Sequence, residues 1–120
     1  MRVSKNKVNS YLKKELHKTL YQVIADLKDP GEVEQFLEAF LSRAEHETLA
    51  KRVAVAYWLD KSRGYENIKE NLKVSSATIA SIQSGLSNPG VKIALQKIKA
   101  DEWANVWSER IKKFTKGLAS

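Results

Sequence analysis

Tyr65–Leu86 reads YENIKENLKVSSATIASIQSGL, and the spacing of its apolar residues decides the fold. Ile68 and Leu72 stand four apart, on one face of a short helix, while Ile79 and Ile82 stand three apart, on one face of a second. Between the pairs lie Lys73, Val74 and Ser75. Neither helix is long enough to bury its face alone. The spacing therefore predicts two helices crossing steeply over a three- or four-residue turn with Val74 plugging the corner, a helix-turn-helix. Ser75 or Ser76 stands where a hydroxyl can accept from a free N–H of the second helix. The outer face of that helix is then Ser76, Ala77, Thr78, Ala80, Ser81 and Ser84. Side chains so short let a helix backbone enter a DNA major groove deeply, where Ser and Thr bond several kinds of base edge. Two positions depart from the usual form of the motif: Lys73 at the turn entry, often Gly, and Lys69 after Ile68, usually small.

Working outward, the same periodicity predicts helices on both sides. Upstream, Leu12, Leu16, Leu20, Val23, Ile24 and Leu27 step by three and four, giving an amphipathic helix from Ser10 to about Lys28, with Lys13, Lys14 and Lys18 opposite. Asp29-Pro30-Gly31 breaks it. A short helix over Glu32–Leu41 follows, with Val33, Phe36, Leu37 and Phe40 on one side. Ser42 with Glu45 spells a capping box opening a third helix, which runs to Asp60 or Lys61 and ends on Gly64 as a left-handed cap. Downstream of the motif, Ser87-Asn88-Pro89-Gly90 is a turn. Val91, Ala94, Leu95 and Ile98 form the next face, and Trp103, Trp107, Ile111 and Phe114 a last stripe, with Ala100-Asp101 either a joint or helical throughout. The expectation is an all-α chain of six or seven helices: a flexible basic arm over residues 1–9, then one helical domain over 10–117 carrying the helix-turn-helix at 65–86.

Charge is distributed unevenly along the 120 residues. Residues 1–28 hold seven Lys/Arg against two Asp/Glu, residues 29–60 three against seven, residues 61–86 four against two, and residues 87–120 seven against three. Both ends and the motif are basic and the segment between is acidic, as suits a protein that turns one side toward a polyanion. With no cysteine, a disulfide framework and thiolate metal ligation are excluded. No apolar run approaches the ~18 residues of a membrane span, and the N-terminus lacks the apolar core of a secretory signal. A cytoplasmic location is expected.

The segment Glu47–Leu86, with TLAKRVAVAYWL and then YENIKENLKVSSATIASI, resembles the Trp-repressor superfamily, particularly its YerC/YecD-type branch. The shared items are Leu49, Arg52 and Val53, the helix-turn-helix spacing, and the A-T-I run at Ala77, Thr78 and Ile79. The resemblance implies an intertwined homodimer, whose outer helices interlock between two chains, acting as a sequence-specific transcriptional regulator on a near-palindromic site. It also implies backbone contact by Lys69 and base-edge approach by Ala77 and Thr78, with Ser76 and Ala80 at contact positions whose residues have changed. Lys61, Arg63, Lys69 and Lys73 are the expected phosphate contacts, and Ser75, Ser81 and Ser84 complete the candidate interface. In the founding member two arginines hold tryptophan. When the runs are laid together these fall at Ala54 and Ser81, which argues against tryptophan as corepressor and leaves any other effector unassigned.

Catalytic chemistry finds no support. His46, within E-H-E-T-L, has no second His four residues on, and His17 is alone on the polar side of its helix. There is no Gly-rich phosphate loop and no G-x-S-x-G elbow, so no enzyme activity, metal or cofactor is expected. The competing reading is a helical protein-interaction or assembly module that keeps the helix-turn-helix as scaffold, favoured by the uncharged second helix and by Trp58, Trp103 and Trp107.

Overall fold

The computed structural model describes residues 7–119, with side chains as far as Val106 and at Glu109, Ile111 and Lys113. Six helices follow one another: α1 (Ser10–Ala25), α2 (Pro30–Phe40), α3 (Arg43–Asp60), α4 (Tyr65–Leu72), α5 (Ser76–Ser84) and α6 (Pro89–Ala119). Among the described residues there is no strand. Arg2 and Lys5 of the basic arm, and the side chains of Trp107 and Phe114, lie outside the described set. Contacts divide the chain into two compact units, residues 1–48 and 49–120.

In the first unit, caps set the boundaries. Asn9, one residue before Ser10, caps α1 by accepting from the Leu12 N–H at 2.9 Å. α1 ends at Ala25 and not near Lys28. There the Asp26 N–H reaches the Gln22 and Val23 carbonyls, and the Leu27 N–H that of Ile24, tightening the last turn until it stops. Pro30 does more than end a helix: it is the first residue of α2, with Asp29, held extended, accepting from the Glu32 N–H at 2.9 Å. α2 consequently starts two residues before the expected Glu32. Neither α1 nor α2 buries a residue, and Leu12, Leu16, Leu20, Val23 and Ile24 are all exposed.

Ser42 and Glu45 form the capping box their spacing predicts. The Ser42 N–H donates to Glu45 Oε1 at 2.8 Å, and the Glu45 N–H to the Ser42 hydroxyl at 3.1 Å. The first of these bonds holds the Glu45 carboxyl below its ordinary pKa, and the Ser42 hydroxyl adds to the effect.

The second unit holds the buried core. Val55 of α3, Ile68 of α4 and Ile79 of α5 are fully buried, and Trp58, Leu59, Leu72, Val74 and Ile82 pack against them. Val74 thus fills the corner of the turn. α3 closes in a Schellman arrangement, the Arg63 N–H donating to the Trp58 carbonyl at 3.0 Å and the Ser62 N–H to that of Leu59 at 2.9 Å. The left-handed residue is therefore Ser62, at φ 60°, and not Gly64. Gly64, extended at φ −72° and ψ 153°, instead precedes α4 as its N-cap. The side-chain contact that accompanies the motif is here a stack, with the Arg63 guanidinium 4.3 Å from the centre of the Trp58 ring.

Lys73 takes the position where the motif often has Gly, and it does so in the left-handed region, at φ 55° and ψ 52°. The helix after Asn88 runs unbroken through Ala100 and Asp101 to Ala119, a rod of 31 residues and so about 46 Å. Two ion pairs flank the expected joint, Lys99 to Asp60 at 3.0 Å and Glu102 to Lys61 at 3.2 Å.

Two outcomes follow for stability. Because the folded state favours ionised Glu45, its contribution is present above the unfolded pKa and is lost as pH falls through the lower folded value. Amide exchange at the start of α3 should accelerate across that acid range, and the Glu45→Gln variant should not show the transition. Lys73→Gly relieves a left-handed side chain and should raise the unfolding free energy by up to ~1 kcal/mol in chemical denaturation. An unchanged or lowered midpoint contradicts that account.

Candidate nucleic-acid interface

α5 begins with Ser75, whose hydroxyl accepts from the Thr78 N–H at 3.1 Å and lies 2.9 Å from the Thr78 hydroxyl. These bonds orient the first turn. Ile79 and Ile82 face the core, so the opposite side of the helix carries Ser76, Ala77, Ala80, Ser81 and Ser84, all exposed. Thr78 is half-buried at the margin. The hydroxyls are not equivalent. Those of Ser75 and Thr78 serve the cap, and that of Ser84 donates to the Ser81 carbonyl at 2.8 Å, while Ser76 is on the exposed face and Ser81, also exposed, stands at its edge.

The four basic residues separate into two pairs. Lys61 sits 5.6 Å above the Tyr57 ring and bridges to Glu102, which draws it toward α6. Arg63 lies on Trp58. Lys69, in the last turn of α4, and Lys73, in the turn that leads into α5, are both exposed. A third cation joins this pair: Lys51 of α3 donates to the Lys73 carbonyl at 3.4 Å, bracing the strained turn from behind. Lys51 and Arg52 are adjacent cations in an otherwise acidic stretch, and that was the signal for them in the sequence.

Behind α5 lies a cavity of about 600 Å³ between α3, α5 and the start of α6. Its walls are mostly apolar, among them Ala56, Ile82, Leu95 and Ile98, with Ala77, Thr78 and Ser81 along one edge of α5 and Arg52 from α3. Of the two positions matched by sequence to ligand-holding arginines, Ser81 lines this cavity and Ala54 does not. Arg52 supplies a guanidinium there that the sequence comparison did not place. A single guanidinium among apolar walls suits a small apolar anion. Among the described residues, no group of three His, Asp or Glu is placed to hold a metal ion, and no helix is long and apolar enough to cross a membrane.

No curated protein and no solved structure matched the chain. The family model described as Trp repressor protein matches residues 15–99, well over half of the chain, across α1 to α5 and the first part of α6. Its members are DNA-binding regulators and not enzymes. With its helix-turn-helix, its all-helical order and that match, this chain belongs to the Trp repressor family.

Proposed function

We propose that the protein is a sequence-specific transcriptional regulator, a repressor by type, that binds a near-palindromic DNA site as a homodimer. The observation that carries this reading is the outward face of α5: five exposed small residues, Ser76, Ala77, Ala80, Ser81 and Ser84, on a helix anchored by fully buried Ile79. No side chain on that face is long enough to hold the helix off the floor of a groove. Lys69 and Lys73 stand beside it to meet phosphates. With no Arg or Lys on α5, discrimination rests on hydroxyls, bridging water and DNA shape.

Two chains are needed because of α1. Its apolar stripe is exposed, and each large side chain covered by a partner contributes ~1.5–3 kcal/mol. A two-fold pair sets two copies of α5 about one DNA turn apart, ~34–36 Å, which calls for a near-palindrome. The cavity behind α5 is where an effector would act on the reading helix. Tryptophan is disfavoured there by Ser81, and a small apolar monoanion held by Arg52 is the chemistry that fits.

Binding to random duplex DNA separates this reading from that of an interaction module. A regulator binds random sequence weakly at low salt and loses it steeply as salt rises; no measurable binding at low salt would sink the proposal. Lys69→Ala should weaken affinity for every duplex and lower the salt slope by about one charge, whereas Ser76→Ala, which removes a hydroxyl on the exposed face, should alter which site is preferred in a selection from random DNA. Leu16→Glu should shift sedimentation from dimer to monomer and abolish preference for two-fold sites. A variant that stays dimeric removes α1 from the interface.

A further inference from the structure

α1 carries two stripes. The apolar one, with Leu12, Leu16, Leu20 and Val23, is the side assigned above to a second chain. Opposite it on the helical projection, Tyr11, Lys14, Lys18 and Tyr21 step by three, four and three, with His17 beside them. All five are exposed, Tyr11 at 75% and Tyr21 at 63%, and no acidic residue interrupts the stripe. Over its second half lies an open cavity of about 470 Å³, lined by Lys14, His17, Lys18, Tyr21, Gln22 and Ala25. The His17 and Tyr21 rings meet there, their centroids 6.1 Å apart and their planes tilted by 38°. The Gln22 amide is turned to Asp26, donating to Oδ1 at 3.0 Å, so the rings and the two lysines are what the cavity offers.

We propose that this face of α1 binds single-stranded nucleic acid. One base enters the cavity against the rings of Tyr21 and His17, the phosphates flanking it pair with Lys14 and Lys18, and a second base stacks on Tyr11, about 15 Å along the helix. Charge and ring chemistry together choose this occupant. Lys14 and Lys18, with no carboxylate between them, complement a chain of phosphates, which an acidic peptide could also satisfy in part. The tyrosines decide against that peptide and against a duplex. Carboxylates have no flat face to lay on a ring, and the bases of a duplex are already stacked on one another and turn only their edges outward. Unpaired bases expose their faces, and stacking on aromatic side chains is how they are held without regard to sequence. The site uses no residue of α5 and does not rest on duplex recognition there.

Fluorescence anisotropy of a labelled oligothymidylate, titrated with the full-length protein at low salt, tests the assignment. Tyr21→Ala should lower affinity about tenfold, while Tyr21→Phe should keep it, because the ring and not the hydroxyl does the stacking. Replacing Lys14 and Lys18 together by Ala should flatten the salt slope by about 1.4, at ~0.7 for each phosphate of a single strand. Lys69→Ala should leave oligothymidylate binding unchanged. Tyr21 is exposed, so its truncation spares the core, and unchanged far-UV helicity confirms it. No binding of oligothymidylate at low salt, full affinity in Tyr21→Ala, or an equal loss in Tyr21→Phe would each overturn the site. So would a matching loss of duplex affinity in Tyr21→Ala, which would give the stripe to a duplex backbone. Oligouridylate should bind comparably, since neither stacking nor phosphate pairing involves the 2′-OH, and exclusive binding of one sugar contradicts the mechanism. Strand and duplex are titrated separately, so failure here leaves the α5 reading standing, and the converse holds as well.

Discussion

Three side chains, Val55, Ile68 and Ile79, are the constraint on which the reading head depends. Each comes from a different helix, α3, α4 and α5, and each is fully buried against the others. Because α4 and α5 are only 8 and 9 residues long, neither is stable as an isolated helix, and this small shared core is what makes both persist. It also fixes direction. With Ile79 turned inward, helical geometry turns Ala77, Ala80 and Ser84 outward, so the interface is set by the core opposite it. Truncating any one of the three leaves a void shared by all three helices, at a cost of ~2–5 kcal/mol for Ile to Ala, out of all proportion to the size of the change.

Around that core, the backbone is held by local bonds where sequence alone would leave it loose. The end of α3 is closed by the Ser62 and Arg63 amides and by the stack of Arg63 on Trp58. The turn after α4 is left-handed at Lys73, and Lys51 reaches its carbonyl. The start of α5 is closed by Ser75. Every junction that orients α5 therefore carries a specific contact, and in Lys73 and Ser75 the same residues also stand at the proposed DNA surface. Folding and recognition draw on one set of side chains.

The helices were legible because their signals are local. Apolar spacing placed all of them, Ser42 and Glu45 announced their capping box, and Val74 was readable as the plug of the turn. Errors arose where two local solutions compete. Asp29-Pro30-Gly31 reads as a breaker, yet a proline with a capping Asp before it is also a helix start. Gly64 reads as the left-handed residue, yet the Schellman bonds fix that conformation two residues earlier, at Ser62. Ala100-Asp101 reads as a possible joint, and no proline or cap forces one. At the candidate interface, sequence identified the face of α5 but not the partition of its hydroxyls, which depends on rotamers, nor Arg52 at the cavity, which depends on how α3 lies beside α5.

The unbroken course of α6 has a mechanical consequence. Its first turns wall the cavity behind α5, and its later turns carry exposed Trp103 and Ile111, with no hinge between them. Such a rod acts as a lever: a tilt of about 5° pivoting at Leu95 displaces Ile111 by about 2 Å, given the rise per residue of an α-helix. A ligand that tilted the helix from the cavity would therefore move its far end, with no joint between to absorb the tilt.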